Sequence, residues 1–211
     1  MPRLRARRQA TEDGGQAGQA LVEMALITPI VLVVFMAIIE LALAFNAVIA
    51  INRASQQGGH LASILGNQTG ADCLILSQID DGIVVPNNPG KIISVVIERA
   101  PPVGQVPYAE QKYDRSASGM QCLLPNETEP ITVPYVLANT GGLPAYPEVE
   151  RCTVLKGCPE LSRTTVDNIG VRVRYQHKWA TPLNAVFDYF GGGNQGWAFT
   201  QRNIFRMEPT L

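Results

Sequence analysis

Histidine is scarce in this chain: His60 and His177 are the only two among 211 residues. No CxxC pair joins its four cysteines, so a tetrahedral zinc site of the usual spacing is excluded. Net charge is also lacking. At −1 the chain has no basic stripe for a phosphate backbone, so no nucleic-acid partner is expected. Catalytic groupings are missing too. Ser116, Ser118 and Ser162 sit in no nucleophile-elbow context. Asp80-Asp81-Gly82 lacks the further oxygen ligands of a calcium loop and reads as a helix end. Gly191 to Gly196 fits the Gly-x-Gly-x-x-Gly string, but it follows an expected helix and precedes a strand. The dinucleotide fingerprint needs the reverse order, so a turn is expected. Asn67-Gln68-Thr69 and Asn126-Glu127-Thr128 match the glycosylation string, which acts only in a eukaryotic secretory route. With no partner in view, each histidine reads as structural. The chain is expected to have no catalytic residue, no metal and no cofactor, and not to be an enzyme.

Only one stretch reads as membrane-spanning. The run from Met24 to Ile39 is broken by Thr28 and Pro29 alone, with Glu23 just before it and Glu40 just after. The two carboxylates lie roughly 26 Å apart on a helix, against a bilayer core of about 30 Å. Both are expected at the edges of the span, where a charge costs far less than at the midplane. Arg3, Arg5, Arg7 and Arg8 precede the run, and beyond it only Arg53 occurs before Lys91. The positive-inside rule therefore places the N-terminus in the cytoplasm and the rest of the chain outside it.

Before the run stands a basic leader, then Gly18, Gln19 and, four residues later, Glu23. This is the pattern of a prepilin. A cut after Gly18 makes Gln19 the first residue and Glu23 the fifth, in the first helical turn where the dipole favours an anion. The competing site is Ala42-Leu43-Ala44, which suits a conventional signal peptidase. Past the span, Ala47, Ile51, Ala54, Gly58, Leu61 and Leu65 recur at three- and four-residue spacing, so the helix is expected to continue to Gly66. Arg53, Gln56, Gln57, His60 and Ser63 fall on the other side.

Ala20-Leu21-Val22-Glu23, Pro29, Ile39-Glu40 and the small-residue helix reaching Ala62 resemble the TadE-like family of minor pilins and pseudopilins of the Tad (Flp) pilus. The resemblance implies a structural role, processing by a prepilin peptidase, and partners among other Tad pilins and the pilus assembly platform. It implies residence in a bacterial cytoplasmic membrane, with incorporation into a surface pilus. Glu23 would then set register against the freed amine of a neighbouring subunit. The other reading is a membrane-anchored adhesive or binding module that enters no filament, with residues 100 to 163 as its surface.

The expected architecture is α+β: a leader over 1–18, a transmembrane helix over 19–45, its extracytoplasmic continuation over 46–66, and a small antiparallel-sheet head over 67–211. Within the head the sequence predicts a short helix over 71–82, a strand from Ile92 to Arg99 and a strand from Ile131 to Tyr135. Little else is expected across 100–163. Asn168 to Trp179 alternates, with Val171, Val173, Tyr175, His177 and Trp179 on one face. A helix from Leu183 to Phe190 and a strand from Trp197 to Glu208 follow. Residues 1–17 read as disordered. Cys73, Cys122, Cys152 and Cys158 all lie on the external side, where disulfides form. Four cysteines allow three pairings. The short TVLKG spacer favours Cys152 with Cys158, which leaves Cys73 for Cys122.

Overall fold

The computed structural model describes residues 13–84, 86–101, 105–124, 128–139, 142–154, 157–158, 165–182, 185 and 196–207, with side chains from Gly18 onward. Apart from Ala185 and Gly196, the expected Leu183–Phe190 helix and the glycine loop after it fall outside these residues, as do Asn126 and Glu127, Ser162, Glu208 and the first twelve residues of the leader.

Helix α1 runs Asp13–Leu65, 53 residues or about 80 Å. It begins ahead of Gly18, so residues 13–17 are helical and not disordered. Helix propagation is cheap once a long apolar segment has nucleated it. Gly66, at φ 61°, ends it. Of the expected stripe, Ala47, Ile51, Ala54 and Gly58 are buried and Leu61 and Leu65 half-buried; Ala62 completes the buried face. Ser63 is buried as well, contrary to expectation. Its hydroxyl donates to the His60 carbonyl at 2.7 Å, so burial leaves no unmet donor. Two glycines let neighbours approach closely. A Cβ on Gly58 would stand 2.7 Å from the Ile79 side chain, and one on Gly59 would stand 2.4 Å from the Phe205 ring.

Helix α2, Ala71–Asp81, turns back and packs on α1 through Ile75 and Ile79. Its cap residue, Gly70, offers no side-chain acceptor. Glu148 does so from 78 residues away, accepting from Gly70 N at 2.8 Å and Asp72 N at 2.6 Å. Glu148→Ala should therefore cost about 1–2 kcal/mol, the usual worth of a lost N-cap. An unchanged denaturation midpoint would show that water serves those two amides equally well.

The strands are β1 Ile92–Arg99, β2 Ala109–Cys122, β3 Ile131–Ala138, β4 Asn168–His177 and β5 Trp197–Arg206. They form one antiparallel sheet in the order β3-β2-β1-β4-β5. Both helices pack on one face. Val95, Ile97, Tyr113, Tyr135, Ile169, Val171, Val173 and Tyr175 meet Ile51, Ile75, Leu76 and Ile79 there, which makes the core. On the opposite face the Glu98 carboxylate is fully buried. Arg172 reaches it at 3.0 Å and Arg202 also pairs with it, so its charge is compensated.

The expectation of little structure across 100–163 is corrected by β2. Its sequence, AEQKYDRSASGMQC, holds few apolar residues and alternates weakly. It is a strand because β1 and β3 pair with its two sides, and tertiary pairing outweighs local propensity. The register shifts between Arg115 and Met120, where the strand is irregular. β3 runs three residues beyond the expected end at Tyr135. β4 stops at His177, so Trp179 lies past the strand.

Cys73 at the start of α2 is bonded to Cys122 at the end of β2, with Cα atoms 6.2 Å apart. Cys152 is bonded to Cys158 across a small turn in which Thr153 and Gly157 exchange both backbone hydrogen bonds. Between the two bridges lies a buried ion pair. Arg151 and Asp72 meet at 2.5 Å with side chains 0% and 5% exposed. Tyr113 donates its hydroxyl to Asp72 at 2.6 Å. Burial, together with the Asp72 charge, holds that hydroxyl far above the usual tyrosine range, so it remains a donor.

Candidate assembly interface

From Leu21 to Ile39 the large apolar side chains of α1 are exposed, Met36 alone being half-buried. Among the described residues α1 is one helix long and apolar enough, by length and composition, to cross a membrane. Pro29 removes one N–H from the ladder. Thr28, the residue before it, donates its hydroxyl to the Met24 carbonyl one turn back at 2.6 Å, a local polar contact that suits a site without water.

Glu23 is exposed at the start of the segment, and Gln19 Nε2 donates to its Oε1 at 3.0 Å. The two ends of the expected mature N-terminal turn are thus already in contact. At Gly18 a Cβ would meet nothing within 4 Å. The fold does not require a glycine there, although glycine inside a helix costs about 1 kcal/mol against alanine.

Glu40, expected at the edge of the span, is held against the head. It is 1% exposed. Oε1 lies 2.9 Å from His177 Nε2, and Oε2 accepts from Ala180 N at 3.1 Å and Thr181 N at 3.0 Å. An imidazole and two backbone amides converge on one carboxylate at the end of the apolar run, where β4 finishes. His177 therefore has a partner, which the sequence reading did not supply. The available signal was a polar side chain closing an inward face that otherwise reads Val171, Val173, Tyr175. From Glu40 upward the helix belongs to the head. Asn203 Nδ2 donates to Asn52 Oδ1 at 3.2 Å, and Ser55 donates to the Val171 carbonyl at 2.8 Å.

His60 is exposed and stands edge-on to Phe205, ring centroids 6.5 Å apart, in an open groove with Gln57, Leu61 and Gln78. Asp80 at the end of α2 is held by Arg115 at 2.9 Å and by the Tyr135 hydroxyl at 2.5 Å. Among the described residues no three His, Cys, Asp or Glu side chains stand together as a metal cluster. Such a molecule offers a surface and a joint.

Residues 18–60 match the family model described as TadE-like protein. The TadE-like segment starts at Gly18 and takes in Glu23, the uncovered run, Glu40 and the first five turns of the helix packed on the head. The sheet and α2 lie outside it. Comparison with curated proteins and with solved structures returns no match. The match covers about a fifth of the chain: over residues 18–60 the chain is similar to a pilus-related family, and its apolar helix fits membrane anchoring.

Proposed function

We propose that this chain is a TadE-like minor pilin or pseudopilin, made as a prepilin and serving assembly of a Tad (Flp) pilus. In this reading residues 1–18 are a cytoplasmic leader removed by a prepilin peptidase. Residues from Gln19 to Ile39 are stored in the cytoplasmic membrane. The head stands outside the cytoplasm. On assembly the stored helix leaves lipid and packs against the helices of other Tad pilins. The observation that carries the reading is the exposed segment from Leu21 to Ile39, with Glu23 exposed at its start and bonded within its own turn to Gln19. A soluble protein would bury such a surface; a subunit that exchanges lipid for neighbours must keep it open. Gly18 adds support, since the fold has no use for it.

Mass spectrometry of the mature protein tests the cut. The chain should begin at Gln19, and Gly18→Trp should leave the precursor intact while its helix still inserts. A mature N-terminus at Phe45 would overturn the reading, because it would remove the span and Glu40 together. Glu23→Ala should insert and be cut normally yet be lost from sheared filaments. Attraction between the Glu23 carboxylate and a neighbour's α-amine at 4 Å is about 4 kcal/mol at an effective dielectric near 20, before desolvation is subtracted. Glu23→Gln separates charge from shape. Wild-type recovery of both variants with partner pilins would reduce Glu23 to a helix-start residue.

A further inference from the structure

The chain has two tryptophans, and the fold brings them together. Trp179 and Trp197 pack edge to face with ring centroids 4.8 Å apart. Trp197 stacks on His177 at 6.4 Å and meets Phe199 at 6.5 Å. His177 is the residue that touches Glu40, so this aromatic cluster sits at one level along α1: the point where the uncovered run ends. β5 climbs from that level, since Asn203 bonds to Asn52 and Phe205 lies on Gly59. Among the described residues the cluster is therefore the part of the head nearest the span. Trp197 remains 41% exposed there, and Lys178 beside it is exposed.

From Gln19 to Glu40 the helix rises about 32 Å, close to the roughly 30 Å of a bilayer core. If the first residue lies at one edge of the hydrocarbon, Glu40 and the cluster lie at the other. Tryptophan is suited to that depth, because its ring is apolar and its Nε1–H is polar. A lysine there can meet lipid phosphate. We propose that Trp179, Trp197 and Phe199, with Lys178, form a second membrane contact, which seats the head on the phospholipid headgroup layer of the outer face before assembly. The partner is lipid and not protein. Among the described residues the cluster stands where the exposed run of the span ends, and the exposed Lys178 has the sign that complements phosphate. The proposal rests on the membrane reading of residues 19–39.

The test uses intrinsic fluorescence of the full-length protein in phosphatidylcholine–phosphatidylglycerol vesicles, since the two tryptophans are its only indole emitters. Lipids brominated near the top of the acyl chains should remove roughly half or more of the emission, because an indole at headgroup level touches those carbons. Lipids brominated near the chain ends should remove much less. Trp197→Phe and Trp179→Phe show which ring is reached. Quenching by neither lipid, in protein that still resists carbonate extraction, overturns the proposal and leaves the span standing. Stronger quenching from the chain ends overturns the headgroup placement. Protein that washes out with carbonate overturns the span, and the proposal with it.

Discussion

Arg151→Met should lower the stability of the head by about 3–5 kcal/mol, the cost of leaving one member of a buried ion pair alone. The guanidinium is fully buried and stands 2.5 Å from Asp72. Its burial opposes the charge, but the Asp72 carboxylate more than offsets this and keeps it protonated. Methionine fills much of the same volume without answering Asp72, which would retain only the Tyr113 hydroxyl as a side-chain donor. The damage should spread, because the pair joins three elements. Asp72 lies in the first turn of α2, beside Cys73 and its bridge to β2. Arg151 precedes Cys152, whose N–H is held by Asp167 at 2.9 Å. Arg151 also lies over the Tyr146 ring at 5.1 Å. Thermal unfolding should move down by about 10 °C for a head of this size. Adding Asp72→Asn should recover part of the loss, because the stranded charge is then gone. A shift under about 1 kcal/mol for Arg151→Met would mean that water already screens the pair.

How far the sequence disclosed this structure depends on which force made each element. The helix to Leu65 was legible because apolar and small residues recur at helical spacing without interruption. β1 and β4 were legible because Ile92–Arg99 is rich in β-branched residues and Asn168–His177 alternates. β2 was not legible. Lys112, Asp114, Arg115, Ser116 and Ser118 carry no period, and the strand exists only through the neighbours that pair with it. The same holds for the cap of α2. Gly70 looks like an uncapped start, and no local pattern points to Glu148. At the candidate interface, the exposed run was legible and the anchored end was not. Met24 to Ile39 announce themselves as one apolar stretch along one helix. Glu40 belongs to a contact across 137 residues, and one sequence holds no record of that distance.

Glu40→Ala should release the lower end of the head from the helix without preventing insertion or folding of the sheet. The carboxylate is the acceptor for His177 Nε2, Ala180 N and Thr181 N. Each donor left buried without an acceptor costs about 1–3 kcal/mol, so removal of all three should cost roughly 3–9 kcal/mol if nothing relaxes. The strain can relax locally, because residues 178–182 are no longer in the ladder of β4. Local opening is therefore the expected response. Amide exchange at Ala180 and Thr181 should accelerate by about a hundredfold or more, while Val171 and Val173 in mid-strand keep their protection. Glu40→Gln keeps an oxygen for one or two of the donors but turns an NH2 group toward the rest, so it should fall between alanine and wild type. His177→Phe removes one donor and leaves the carboxylate held by two amides, and its effect should be the smallest of the three. Replacing both partners, Glu40→Leu with His177→Phe, should not restore protection, because the two backbone amides still lack an acceptor. That outcome distinguishes this joint from a simple ion pair, where matched apolar replacement is often tolerated. Unchanged exchange at Ala180 and Thr181 in Glu40→Ala would show that the head is seated by its apolar contacts with α1 and that the carboxylate holds nothing.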